Sequence, residues 1–216
     1  MRMKSASMCS LYFVGVDPSL SNTGCVILGS TGQVVDVCNA RTALKGWTGK
    51  GKKLDSSQRA QPQHQIERLR LVSACLQGFI RANTPQDAIV HAGYEDYSYQ
   101  SLNRSFALGE LGGVLKKALL FGLDRQVGSL TLVAPTLLKQ FAVGAGTAEK
   151  EEVISQAKEE STFIKRLTPS VCTDDVCDAY FLAKFAWYKC ARQGVVEEET
   201  SRDFLRNRLE ISMGGI

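Results

Sequence analysis

Four acidic residues, Asp17, Glu95, Asp175 and Asp178, occupy places that stability alone does not favour. Asp17 ends the apolar run YFVGVD and is followed at once by PSLSNTG, and Glu95 ends a second such run, AIVHAGYE. A carboxylate closing a buried strand is costly unless something cationic meets it. Asp175 and Asp178 lie three residues apart in TDDVCDAYFLAKF, so one helix face carries both and continues through Leu182 and Phe185 as an apolar stripe. If the strands ending in Asp17 and Glu95 are parallel neighbours, both acids emerge at one sheet edge, and the helix adds two more. Like charges in one crevice repel by several kcal/mol at low dielectric, which calls for bound cations. All-oxygen ligation points to Mg²⁺ or Mn²⁺ over zinc. A pair of such ions suits phosphoryl transfer, one preparing a water nucleophile and the other steadying the leaving oxygen.

Each acid also has a plainer reading. The field of a helix N-terminus accounts for Asp174, with Thr173 as its cap, but accounts poorly for Asp178, one turn further in on the inward face. Two lysines can be weighed beside the acids. VGAGTAEK sets a Gly-rich turn before a helix start, where free backbone N–H groups and Lys150 can hold a phosphate. Lys139, in PTLLKQ, and Lys150 are ordinary surface lysines when taken singly.

The elements that must position these residues follow from periodicity. Strands are expected at 11–17, 23–29 and 33–39 as an antiparallel meander, then a helix at 63–82, a strand through AIVHAGYE and a helix through SFALGELGGVLKKALLFGL. A fifth strand, LTLVAP, precedes a short helix from Pro135, a helix at about 148–160 and a long one at about 174–192. Three antiparallel strands followed by strand and helix alternation predict an α/β fold, a mixed five-stranded sheet with helices on its faces. Residues 1–194 read as one domain and 195–216 as a tail, either a peripheral helix or mobile.

Composition agrees with that size: 216 residues, 44% hydrophobic and 22% charged, suit one globular domain with a full core. The net charge of +4 says little by itself, but its distribution says more. RTALKGWTGKGKKLDSSQR holds Arg41, Lys45, Lys50, Lys52, Lys53 and Arg59 against Asp55 alone, with Trp47 in its middle. It reads as a basic loop, either a solvated linker or a phosphate-backbone contact with Trp47 suited to stacking on a base. Seven scattered cysteines without metal-ligand spacing read as core residues of a reducing compartment, not as a zinc site. No apolar run reaches membrane-spanning length, and MRMKSASMCS is too short to serve as a signal peptide, so a cytoplasmic location is expected, with an organelle matrix as the other possibility.

In order along the chain, GVDPSLSNTG, the Glu closing strand four, APTLLKQFAVGAGTAEKEEV and DDVCDAYFLA resemble the Holliday junction resolvases of the RuvC family over roughly residues 12–188. The resemblance implies a ribonuclease-H-like fold, a homodimer, and four acids holding two Mg²⁺ (or Mn²⁺) per site for paired symmetric nicks in a four-way DNA junction, leaving 5′-phosphate ends. The family acids fall on Asp17, Glu95, Asp175 and Asp178, and its two lysines on Lys139 and Lys150. Tyr97 and Tyr99 stand near the place of an aromatic that wedges at the junction centre. The pattern departs after Asp178, where some members carry a basic or histidine ligand and this chain has Tyr180, Phe181, Leu182 and Ala183. The helix through Gly109, Gly112 and Gly113 is the candidate dimer contact, with burial inside the subunit as the alternative. Rival readings are a nuclease of the same fold acting on another branched DNA or an RNA–DNA hybrid, a noncatalytic junction binder, and a sugar-kinase-type ATPase. The last needs two such domains, for which 216 residues leave no room.

Overall fold

The computed structural model describes residues 10–19, 22–40, 62–96 and 105–194. Five strands form one sheet: β1 (Leu11–Asp17), β2 (Gly24–Leu28), β3 (Val34–Asn39), β4 (Ile89–Glu95) and β5 (Gln126–Val133). The helices are α1 (Pro62–Asn83), α2 (Ser105–Phe121), α3 (Pro135–Val143), α4 (Lys150–Glu160), α5 (Thr162–Arg166) and α6 (Asp174–Arg192). Strand order is β3-β2-β1-β4-β5. The first three strands pair antiparallel, whereas β4 runs parallel to β1 and β5 parallel to β4. This is the mixed sheet of a ribonuclease-H-like α/β fold.

Alternation along the strands sorts side chains to two cores. Val14, Val16, Ile27, Val90, Ala92 and Tyr94 face α1 and α2, where Leu76, Ile80, Leu111 and Leu115 close the layer. Phe13, Val26 and Leu28 face α6, which is buried along most of its length and flanked by α3 and α4. Trp187 fixes the far end of α6 by donating its indole N–H to the Ser30 carbonyl at 2.9 Å, so this large side chain is packed and satisfied at once.

Two elements differ from the sequence expectation. β5 begins at Gln126, four residues before LTLVAP, because Gln126 and Val127 pair with Ile89 and Val90 of β4; Gly128 is the residue that the register skips, and a Cβ there would fall 2.4 Å from His91 Cε1. A glycine suits such a bulge, where an aromatic ring leaves no room for a side chain. The extra helix α5 is a single short segment whose N-cap, Ser161, accepts from the Ile164 N–H at 3.2 Å. Among the described residues no helix is long and apolar enough to cross a membrane. Lys45, Trp47, Lys50, Lys52, Lys53, Tyr97, Tyr99 and the tail 195–216 lie outside the described residues.

Candidate active site

Asp17 is the last residue of β1 and Glu95 the last of β4. The parallel register sets Gly15 opposite Gly93 and Val16 opposite Tyr94, so the next step along both strands brings Asp17 and Glu95 side by side. Because Phe13 and Gly15 lie on the α6 face, Asp17 does too, and parity gives Glu95 the same face through His91 and Gly93. At that place the Glu95 carboxyl, by its charge and by hydrogen bonding, helps raise the proton affinity of Asp17.

Helix α6 brings the other two acids down to this edge. A Cβ on Gly24 of β2 would lie 2.1 Å from the Asp175 carbonyl oxygen, and one on Gly93 of β4 2.1 Å from that of Leu182. With Gly15 of β1 between them, these glycines let the helix backbone rest directly on three adjacent strands. The N-terminus of α6 is anchored at the same place. Thr173 accepts from the Val176 N–H at 3.4 Å, and buried Asn39, at the end of β3, donates to the Thr173 hydroxyl at 3.2 Å. The turn after Asp17 is pinned by Thr23, whose hydroxyl donates to the Ser19 carbonyl at 2.9 Å. In that turn the Asn22 side chain donates to Asp175, while its buried Oδ1 has no partner among the described residues.

The electrostatics are those of crowded carboxylates. Asp17 is only 6% exposed. Burial first, then Glu95, Asp178 and Asp175, hold its proton well above the ordinary carboxylate range. Asp178 is pushed up to about 7 by burial and then by Glu95 and Asp174, and Asp175 to about 6 by burial and then by Asp174, despite relief from Lys150 in both cases. Asp174 differs: burial raises it, but the Lys150 ammonium and the helix N–H groups more than offset this, and its net shift is downward. Lys150, at the first position of α4, reaches Asp174 at 2.5 Å across an exposed rim. The Asp174 hydrogen bond raises the lysine in turn.

Lys139, half-buried on α3, makes a structural contact. Its Nζ donates to the Ala148 carbonyl at 2.6 Å and so ties α3 to the turn before α4. Asn22, Gly15 and Gly24 fall within GVDPSLSNTG but are not singled out there as site residues, and Asn39 and Gly93 lie in no motif. The sole hint is a glycine in the interior of each of β1 and β4, where a strand gains nothing from one unless another backbone comes close.

Among the described residues, no three His, Cys, Asp or Glu side chains are gathered as a ready-made metal cage. The donor chemistry nevertheless suits a hard divalent cation. Asp17, Asp175 and Asp178 are all raised above the ordinary carboxylate range by burial and by neighbouring acids, and a divalent cation would supply the neutralising charge that the crevice lacks.

No protein-family profile and no curated protein matches this sequence. Solved structures do. The chain is similar to the Thermus thermophilus RuvC structure at 18% identity and a TM-score of 0.53, over 86% of this chain and 98% of that one. It is similar to T. thermophilus RuvC in complex with Holliday junction substrate at 18% identity and a TM-score of 0.54, with the same coverage of both chains. The likeness makes the fold of this chain RuvC-like.

Proposed function

We propose that this protein is a divalent-cation-dependent endonuclease that resolves four-way DNA junctions by paired symmetric nicks. The observation that carries the reading is the convergence of Asp17 and Glu95, from two parallel strand ends, with Asp175 and Asp178 of α6. It stands on a fold shared with a protein solved in complex with Holliday junction substrate.

Asp17, Glu95, Asp175 and Asp178 would hold two Mg²⁺ or Mn²⁺ ions, which when bound supply an activated water and charge stabilisation at the leaving oxygen. The chain's own groups prepare that site. Asn22 orients the Asp175 carboxylate, and the Thr173 and Asn39 pair fixes the helix end that presents Asp175 and Asp178. Lys150 stands at the rim as the cation that meets an incoming phosphate, and Lys139 holds the turn that places it. Two sites acting on opposing strands require a homodimer, whose two-fold axis matches that of the junction. The outer face of α2 suits such a contact: Phe106 is 88% and Phe121 80% exposed, and Cβ atoms on Gly109 and Gly113 would meet nothing within 4 Å. Lys45, Trp47, Lys50, Lys52, Lys53, Tyr97 and Tyr99 are the proposed DNA contacts beyond the acid crevice.

Cleavage of labelled substrates tests the reading: a mobile four-way junction, a flap, a plain duplex and an RNA–DNA hybrid, each with and without Mg²⁺. Symmetric paired nicks confined to the junction and requiring the cation support it. Preferential cutting of the flap or hybrid replaces the substrate while keeping the chemistry, and junction binding without any cutting overturns the nuclease.

A further inference from the structure

On the sheet face opposite the acids, Cys38 of β3 and Cys75 of α1 stand with their Sγ atoms 3.7 Å apart. Both are half-buried free thiols, so solvent reaches the pair. We propose that Cys38 and Cys75 form a peroxide-reactive dithiol that closes to an intramolecular disulfide, linking β3 to α1.

Distance and exposure together separate this pair from the other cysteines among the described residues. Bond formation needs the two Sγ atoms to close from 3.7 Å to the roughly 2 Å of a disulfide, a movement that side-chain rotation about partly exposed residues can supply. Cys172 and Cys177 also approach, at 3.8 Å, but Cys177 is fully buried at the start of α6, and burial pushes its thiol up. Cys25, across the strand register from Cys38, is buried and raised likewise. Within the proposed pair the hydrogen bond acts in both directions: it raises the Cys38 thiol, with burial adding to the rise, and it outweighs burial at Cys75, lowering that thiol to about 7. The thiolate is the nucleophilic form, so attack begins at Cys75.

The chemistry balances with hydrogen peroxide as oxidant. The Cys75 thiolate attacks one peroxide oxygen, the O–O bond breaks, and hydroxide leaves and takes up a proton as water. The product is a Cys75 sulfenic acid. The Cys38 sulfur then attacks the Cys75 sulfur, the S–O bond breaks, and the departing hydroxide accepts the Cys38 proton as a second water. Two thiols are oxidised and one peroxide is reduced. The new bond closes the chain between residues 38 and 75, including the basic stretch from Arg41 to Arg59, into a covalent loop, which restricts the unfolded ensemble more than the folded one.

The test uses the full chain, reduced and then treated with hydrogen peroxide, blocked with N-ethylmaleimide and mapped without reduction. The expected result is a linked Cys38–Cys75 peptide and a Tm raised by about 5–10 °C that dithiothreitol reverses. Cys75→Ser should remove both, and Cys38→Ser should leave a Cys75 sulfenic acid that dimedone traps. An unmodified pair, a Cys172–Cys177 link in its place, or disulfide-bonded dimers on a non-reducing gel would overturn the proposal. None of these readouts depends on nuclease activity, so the proposal stands or falls apart from the function proposed above.

Discussion

Gly15 in β1 and Ala179 in α6 meet backbone to backbone: a Cβ on Gly15 would lie 1.8 Å from the Ala179 carbonyl oxygen. Neither partner can turn aside, because both atoms belong to main chain at the centre of the fold. The acid crevice depends on this contact, since Asp17 lies two residues beyond Gly15 and Asp175 and Asp178 lie within the turn before Ala179.

Gly15→Ala should therefore lift α6 from the sheet, destabilising the protein by about 1–3 kcal/mol or more. Gly78→Ala is the control, since a Cβ there meets nothing within 4 Å on the exposed face of α1; it should stabilise by roughly 0.5–1 kcal/mol. Urea unfolding followed by circular dichroism measures both. Equal effects at the two glycines would mean that close approach of the helix does not matter.

Asp17→Asn should abolish junction cleavage, by about 10³-fold or more, while junction binding persists. The same change removes a buried acid that is hard to ionise, so the variant should melt no lower than wild type in EDTA. Retained cleavage would remove Asp17 from the chemistry.

The acid cluster should make the cation-free protein less stable as pH rises. Asp175 and Asp178 hold their protons in the folded state up to about 6 and about 7, against ordinary values near 3.8. Groups raised in this sense contribute stability that is fully present below the unfolded value and is lost as pH climbs through the folded value. Asp174, shifted downward, acts oppositely and only in more acidic solution. Melting in EDTA should accordingly fall between about pH 4 and about pH 7, Asp178→Asn should flatten that fall, and Mg²⁺ should restore more stability at the higher pH. A wild-type Tm that rises over this range contradicts the assignment.

Lys150 and Asp174 should separate by function. Their ion pair is solvent-exposed, with the lysine side chain 67% accessible, so breaking it changes stability by only about 0–1 kcal/mol. Lys150→Ala should slow cleavage by about 10²-fold if its ammonium meets the phosphate, whereas Asp174→Asn should leave cleavage near wild type. Single-turnover rates on a saturating junction make the comparison, and the reverse ranking would exchange the two roles.

Thr173→Ala tests the anchoring of α6. Loss of the cap to Val176 and of the Asn39 partner should cost about 0.5–2 kcal/mol and reduce cleavage without abolishing it. Unchanged stability would mean that the glycine track alone holds the helix end.

The sequence by itself determined the order and type of most elements and the acids at their ends. Periodicity of two ends at Asp17 and Glu95, and a helical stripe through Asp178, Leu182 and Phe185 marks the packed face, all local properties of the chain. Only the tertiary structure decided how the acids meet. The parallel register of β1 with β4 sets Asp17 beside Glu95, a choice made between segments more than seventy residues apart that no local pattern encodes. Asn39 and Asn22 become supports of the site through contacts from distant segments, and Lys139 becomes a strut because the Ala148 carbonyl lies within its reach. Cys38 and Cys75, unremarkable as scattered cysteines, become a pair because α1 packs across the end of β3. Local spacing specifies which side chains share a face, but neighbours across a sheet are chosen by the free energy of burying both faces at once, and that belongs to the whole fold.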